Sequence, residues 1–515
     1  MKKIQSKNVL NFYLKKILDS RVYDVAKETS LDFADNLSEK LNNKIFLKRE
    51  DTQPTFSFKI RGAYNKIANL KSSELKKGII AASAGNHAQG VSLAANKLGI
   101  RSTIVMPKTT PRVKVEAVLK LGSKIIITGD SYSDAYEHAF RISKKEKLNF
   151  IHPFDDDDVI AGQGTIGMEI LRQSSGDIDA IFVAVGGGGL ISGVGAYIKA
   201  IKPEIKIIGV QTEDSSAMSK SLKSKKRIIL KNVGLFSDGT AVKQVGEKTF
   251  KLSQIVVDEM VLVNTDEVCA AIKDIFEDTR CIQEPAGALA LAGLKRWVVL
   301  NKSSSMNLIA ITCGANINFD RLRFISERSE LGEEREALLS ITLPEERGIF
   351  LKFCSLIDNI NVTEFNYRIS DDSTANLFVG IQVKDKIEGK IVIDKLRNEG
   401  FIVNDLTNDE LSKLHVRHMV GGSSNLAINE RIYRFEFPER PGALMKFLSS
   451  MNSSWNISLF HYRNHGSDTG RIMVGLQVPP KETNDLNIFL KSLGYNYVNE
   501  TKNQLSIYMG DYLSF

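Results

Sequence analysis

Short apolar, β-branched runs alternate with helix-length stretches from residue 78 onward, and that rhythm leaves few folds open to the chain. Gly78 to Ser83 (GIIAAS) is an apolar run, and Ala88 to Leu98 has helical spacing and ends at Gly99. Ser102 to Met106 (STIVM) predicts a strand, Pro111 to Leu121 a helix, Lys124 to Thr128 (KIIIT) a strand and Asp134 to Lys147 a helix. The pattern resumes with Ile181 to Val185, a helix from Leu190, and strands at Lys206 to Gln211 and Met306 to Thr312. Strands that are apolar throughout and separated by helices are buried on both faces, as in a parallel α/β sheet. Two doubly wound units within residues 1–325 are expected, with a small subdomain over residues 50–150.

Beyond Phe324 the texture changes. The run ISERSELGEEREA is charged and poor in apolar residues, and predicts a linker helix, bounded as residues 326–336. The C-terminal remainder of the chain repeats itself. LPEERGIFLKF begins at Leu343 and FPERPGALMKF at Phe437, 94 residues later. NVTEFNYR (from Asn361) and NISLFHYR (from Asn456) are 95 apart, as are VGIQV (from Val379) and VGLQV (from Val474). Each copy predicts a strand, a helix opened by glycine, two strands and a second helix, a small α+β module of ferredoxin-like type. The modules are bounded as residues 337–410 and 431–505. A length of 515 residues accommodates this layout at roughly 150 residues per domain.

Composition excludes several classes. With 43% hydrophobic and 25% charged residues the chain is too apolar for disorder. The net charge of +8 is spread out. Basic clusters such as Lys223 to Arg227 (KSKKR) are isolated, without the aromatic interleaving a nucleic-acid surface uses. Four cysteines (Cys269, Cys281, Cys313, Cys354) are too few and scattered for a disulfide framework or a CxxC metal site. The start MKKIQSKNVLNFYLKKILDS lacks a signal-peptide apolar core, and no 18-residue apolar stretch exists. A cytoplasmic protein without metal is expected.

Four constellations carry chemistry. In Pro54-Thr55-Phe56-Ser57-Phe58-Lys59-Ile60-Arg61-Gly62-Ala63, Lys59 is flanked by Phe56, Phe58 and Ile60. An amine among apolar groups loses preference for its charged form, as a lysine that bonds to carbonyls requires. Ser83 to Gly90 (SAGNHAQG) sits between a strand's carboxyl end and a helix start, where open α/β sheets bind ligands. Helix N-terminal amides there suit a carboxylate; alternatively Asn86 merely caps the helix and Gly85 supplies the turn. Gly186 to Leu190 (GGGGL) lets backbone amides converge on a phosphate. It matches neither the dinucleotide nor the Walker pattern, so it suits one small phosphate. Finally, Cys313 in Thr312-Cys313-Gly314-Ala315-Asn316 is open to three readings: a buried structural thiol, a nucleophile, or a neutral group aimed at a ring nitrogen.

Together these segments resemble the fold-type II pyridoxal-phosphate (PLP) enzymes and, within them, the biosynthetic threonine dehydratases (threonine ammonia-lyases). The resemblance runs through PTFSFKIRGAYNKI, ASAGNHAQGV, PFDDDDVIAGQGT, GGGGL, QEPAGA, the CGAN segment, SERSELGEEREALL and both repeats, essentially the full length. It implies an α/β, tryptophan-synthase-β-like catalytic region with two ACT-like regulatory modules. It implies a lyase that deaminates L-threonine by β-elimination to 2-oxobutanoate, the first step of isoleucine biosynthesis. By the resemblance Lys59 holds the cofactor covalently and serves as base, Phe58 packs near its ring, and Asn86 hydrogen-bonds the ring hydroxyl. Gly186, Gly187, Gly188, Gly189 and Leu190 hold the 5′-phosphate, and Cys313 faces the pyridine nitrogen. Ser83, Ala84, Gly85, Asn86 and His87 embrace the substrate carboxylate.

Two positions refine that expectation. Serine is common where Cys313 stands; a thiol is a weaker donor but still neutral, which favours loss of the β-hydroxyl over transamination. Serine racemases carry a second serine where Ala84 stands, and a methyl group offers no proton. Serine dehydration or racemisation, or an amino-acid sensor with a vestigial catalytic half, are the alternatives. The intact Lys59, Asn86 and glycines weigh against decay. The modules imply inhibition by isoleucine, opposed by valine, with Tyr367, Tyr462, Arg463 and Arg417 as effector candidates, or the tyrosines as repeated core. A homotetramer follows by the same resemblance. The Asp155 to Asp158 run is expected as a solvated turn leading into a helix.

Overall fold

Each apolar run between residues 78 and 312 that the rhythm picks out forms a strand in a computed structural model of the chain. The structure describes residues 2–344 continuously, and the remainder except 345–351, 354–355, 358–359, 361, 370–373, 417–428, 439–445, 448–449, 453–454, 464–468 and 503–515. The chain divides into two compact units, Met1–Phe319 and Asp320–Phe515.

The first unit holds β1 (Leu31–Phe33), β2 (Lys44–Arg49), β3 (Ile79–Ala82), β4 (Ser102–Met106) and β5 (Lys124–Ile127). It continues with β6 (Asn149–Phe150), β7 (Ala180–Ala184), β8 (Lys206–Thr212), β9 (Glu259–Val263) and β10 (Asn307–Thr312). They form a four-stranded sheet in the order β5-β4-β3-β6 and a six-stranded sheet in the order β1-β2-β10-β7-β8-β9. All pairings are parallel except β1 with β2. The central strands β3 and β7 are buried at every residue, and the edge strand β5 is not.

Strands β1, β2, β6 and β9 lie outside the runs that the rhythm picks out, and β2 shows why most clearly. Strand β2 (KIFLKR) carries Lys48 and Arg49, residue types ordinarily left in water, yet Lys48 is fully buried. Its ammonium reaches Glu169 at 2.6 Å, and Arg49 reaches Asp51 at 2.8 Å. A charge enters a protein interior when a partner is waiting there. The partner of Lys48 is distant in sequence, so the run reads as surface.

In the second unit β11 (Glu336–Pro344), β12 (Val362–Ile369), β13 (Thr374–Gln382) and β14 (Ile402–Asp405) form an antiparallel sheet in the order β12-β13-β11-β14. Strands β15 (Glu430–Pro438), β16 (Asn456–Arg463), β17 (Thr469–Gln477) and β18 (Asn496–Asn499) repeat it as β16-β17-β15-β18. Helices Lys386–Asn398 and Thr483–Leu493 precede the closing strands β14 and β18. These closing strands (IVND and NYVN) are too short and polar to have been foreseen. Alternate residues of β11 point to opposite faces. Leu339, Ile341 and Leu343 join one core, while Leu338 meets Phe378, Ile432 and Met473 in another that draws on both modules. The segment expected as a linker lies in the helix Arg321–Gly332 and the turn after it. That helix buries Phe324, Ile325 and Leu331 and pairs Arg328 with Glu410 at 2.8 Å.

Candidate active site

Lys59 is the first residue of the helix Lys59–Ala68, and three close approaches set where that helix lies. A Cβ on Gly62 would overlap Gln163 and stand 2.6 Å from the Val159 carbonyl oxygen. One on Gly162 would stand 2.7 Å from the Gly62 Cα, and one on Gly90 3.1 Å from the Lys59 backbone. Helices can cross this closely only where side chains are absent. Two residues after Lys59, the fully buried Arg61 bonds Glu50 at 2.7 Å and Glu169 at 2.6 Å. Desolvation pushes the Lys59 amine below the usual lysine range, opposed by the nearby Cys313 and Glu284. Phe58 is buried, with its ring centroid 4.9 Å from the amine. Phe56, by contrast, is 57% exposed with φ at +51°, so Phe58 and Ile60 supply the apolar surroundings and Phe56 does not. The segment before Lys59 is tied to the end of β10 by the Ser57–Gly314 bridge and by the Ala315 amide donating to Phe56 at 2.9 Å.

The loop Ser83–Gly85 leaves β3 and opens the helix Asn86–Lys97. Ser83 to Asn86 are partly exposed among buried neighbours, and a Cβ on Gly85 would meet nothing within 4 Å. The Gly85 amide donates to Ser83 Oγ at 3.2 Å, while the first-turn amides from Asn86 onward have no partner within the helix. These are the donors an anion needs. Ala84 presents a methyl group here. The His87 ring is buried, with Nε2 2.9 Å from the Ile151 carbonyl oxygen, and burial drives its pKa down to about 3. The ring is neutral and packed, so His87 can offer the loop its backbone amide only.

At the carboxyl end of β7, Gly186, Gly187 and Gly188 lead into the helix Gly189–Ile201, with Gly189 and Leu190 its first residues. Gly188 has φ at +99°, which favours glycine. A Cβ on Gly187 would run into the Phe154 ring, and the Gly187 carbonyl accepts from Thr249 Oγ1 at 2.6 Å. The glycines thus answer to crowding from behind as well as to the amides they expose. Cys313 lies just past β10, 4% exposed, with its thiol pushed far up by burial and by Glu284. It is neutral and donates through Sγ to the Ala286 carbonyl at 3.1 Å.

Two further groups were not assigned from the sequence. Asn86 Nδ2 donates to Glu284 Oε1 at 2.5 Å, and Asn86 Oδ1 accepts from Asn316 Nδ2 at 2.7 Å. Glu284 sits before Pro285 at a helix start without capping it through its side chain. Glutamate is a poor choice for that position, which was the available signal. The aspartate run leads into a helix, as expected, and is partly exposed, but its side chains are engaged rather than merely solvated. Asp156 caps the helix Asp157–Gln173, and Asp155 accepts the Glu247 and Lys248 amides at 2.9 and 2.8 Å. Asp157 accepts from Tyr13 at 2.9 Å, and Asp158 pairs with Lys16 at 2.7 Å. Among the described residues no group of three or more His, Cys, Asp or Glu could hold a metal ion.

Of the effector candidates, Tyr367 pairs with Leu377 in the edge strand β12, and Tyr462 and Arg463 pair with Ile472 and Arg471 in the equivalent edge strand β16. Arg417 lies outside the described residues.

The candidate site residues fit PLP. A desolvated amine stands near a neutral thiol, and helix N-termini open at the ends of β3 and β7. Ser57 Oγ, two residues from Lys59, is buried without a hydrogen-bond partner. Comparison with known proteins agrees. A pyridoxal-phosphate dependent enzyme family matches residues 22–314, and the C-terminal regulatory domain of threonine dehydratase matches twice, at 327–416 and 421–509. The biosynthetic L-threonine dehydratase of Burkholderia multivorans is 58% identical over 95% of this chain and 97% of its own. That of Pasteurella multocida is 50% identical over 95% and 96%. The processed form of threonine deaminase isoform 2 from Solanum lycopersicum superposes with a TM-score of 0.61 at 48% identity, covering 62% of this chain and 94% of its own. Maize serine racemase superposes with a TM-score of 0.57 at 31% identity, covering 60% and 95%. The chain belongs to the biosynthetic threonine dehydratases, a family of pyridoxal-phosphate-dependent enzymes.

Proposed function

We propose that the chain deaminates L-threonine to 2-oxobutanoate and ammonia by β-elimination, as the first step of isoleucine biosynthesis. The observation that carries this reading is the desolvated Lys59 amine beside the neutral Cys313 thiol, in a chain whose family likeness spans catalytic and regulatory halves alike. When bound, PLP supplies a conjugated electron sink for charge developing at the substrate Cα. Lys59 would hold the cofactor and then, as a neutral amine, take the Cα proton. The glycine loop Gly186–Leu190 would hold the phosphate through first-turn amides, and the loop Ser83–His87 the substrate carboxylate. Cys313 would offer the pyridine nitrogen of the cofactor no acid, which would keep developing charge near Cα and favour departure of the β-hydroxyl, which takes up a proton and leaves as water. The enamine hydrolyses to the oxo acid, releasing ammonia. Ala84 has no proton to deliver from the opposite face, which argues against racemisation.

In this reading residues 1–325 are the catalytic region and modules 337–410 and 431–505 the regulatory half. Isoleucine inhibits through these modules and valine opposes it, with Tyr367, Tyr462, Arg463 and Arg417 the effector residues. The assembly is a cytoplasmic homotetramer. Among the described residues no helix is long and apolar enough to cross a membrane.

Borohydride reduction of the PLP-loaded chain, followed by peptide mass analysis, tests the central residue. The pyridoxyl mass is expected on the peptide containing Lys59. The same mass on any other lysine, or on none, would overturn the assignment.

A further inference from the structure

Both ends of the Asn86 amide are engaged within the protein, by groups 198 and 230 residues away. Nδ2 donates to Glu284 Oε1 at 2.5 Å, and Oδ1 accepts from Asn316 Nδ2 at 2.7 Å. Asn316 is itself fixed, because the same Nδ2 donates to the Thr55 carbonyl at 2.8 Å. Glu284 is 5% exposed. A Cβ on Gly314 would overlap Glu284 and stand 3.2 Å from Asn86 Nδ2, so the glycine gives the pair its room.

An amide has two orientations, with oxygen and NH₂ exchanged. Reversed, Asn86 would set Oδ1 against the Glu284 oxygen and its NH₂ against that of Asn316, losing two hydrogen bonds at once. The partners therefore select one orientation, in which Nδ2 keeps a second N–H to give. We propose that Glu284 and Asn316 are positioning residues for the reaction: they hold Asn86 so that it turns an N–H donor, and never a lone pair, towards the hydroxyl of the cofactor ring. This rests on the PLP reading above. A donor at that oxygen favours its ionised form, and a lone pair there disfavours it.

The test uses PLP-loaded chain and reads the visible cofactor band against pH in four variants. Glu284→Gln keeps an acceptor for Nδ2 and removes a negative charge that favours the protonated Lys59 nitrogen, so its midpoint should not rise. Asn316→Asp sets an acceptor against Oδ1 and breaks the selection; its midpoint should rise by about one pH unit. In the double variant Glu284→Gln/Asn316→Asp, the new amide at position 284 can donate and the new carboxylate at position 316 can accept, so the reversed Asn86 amide recovers both hydrogen bonds. Its melting temperature should return towards the parent while the raised midpoint persists and kcat stays down about tenfold, one unmade hydrogen bond's worth. Asn316→Ala serves as a second comparison: it removes one partner but leaves Glu284 selecting the same orientation, so its midpoint should rise less than that of Asn316→Asp. An unmoved midpoint in Asn316→Asp, or an equal rise in Asn316→Ala, would overturn the inference. So would a rise in Glu284→Gln as large as that in Asn316→Asp, because the new amide still accepts from Nδ2. A parent with no PLP band at all would instead sink the cofactor reading.

Discussion

At the scale of single residues, burial decides chemistry that residue type leaves open. Desolvation pushes Lys59, His87 and Cys313 each towards the neutral form, and Lys59 and Cys313 lie close enough to act on one another's charge. For His87 the consequence is a pH dependence of stability. Folded, the ring takes a proton only near pH 3; unfolded, it does so near 6.5. Between those values the unfolded chain binds more protons, so His87 stabilises the fold fully above 6.5 and that contribution drains away as pH falls. Between about pH 7.5 and about pH 5.5 this removes about 1.4 kcal/mol. Urea unfolding at the two pH values should show His87→Gln, which can still donate to Ile151, losing less stability than the parent by that amount. An equal loss in both would mean that His87 is not held neutral. Lys59, Asn86 and Cys313 were legible because each sits at a strand's end or a helix start in a distinctive run. Glu284 and Asn316 were not, since their role exists only once β10 and the helix Pro285–Asn301 bring them to Asn86.

At the scale of elements, close helix crossings place the reacting amine. The helix that begins at Lys59 is gripped at Gly62 by Gly162 and Gln163, and from its N-terminal end by Gly90. Gly62→Ala puts a methyl group 2.6 Å from a backbone oxygen that cannot rotate away. Such overpacking costs about 1–3 kcal/mol. The variant should lose that much in urea unfolding and retain less PLP after dialysis, because any relief moves Lys59. Full stability with parent-like PLP retention would show that the crossing tolerates side chains. Strands β3, β4, β5, β7, β8 and β10 were read almost to the residue, since parallel strands buried on both faces are mostly apolar. Strand β2 was missed because buried ion pairs make its lysine and arginine compatible with the core. The side-chain partners of Asp155 to Asp158 were missed for a related reason: these amide donors and cations lie across the unit, beyond local pattern.

At the scale of the whole molecule, the repeat is the feature that local pattern carried best. Offsets of 94 and 95 residues reappear as β11 matched with β15 and β13 with β17. The closing strands, and the core shared by Leu338, Phe378, Ile432 and Met473, depend on pairing between segments and left no trace in either copy alone. That shared core gives the two modules a common interface. If the edge strands β12 and β16 bear the effector sites, Tyr367→Ala and Tyr462→Ala should each raise the isoleucine needed for half-inhibition by about tenfold, within the usual range of allosteric coupling. Unchanged isoleucine sensitivity in both would remove these tyrosines from the effector sites. The most direct measurement of the central claim is 2-oxobutanoate formation from L-threonine by the intact PLP-loaded chain, with and without isoleucine and with Lys59→Ala as control. The account predicts steady 2-oxobutanoate production that isoleucine suppresses and Lys59→Ala abolishes; no 2-oxobutanoate from threonine, or production that survives Lys59→Ala, would contradict it.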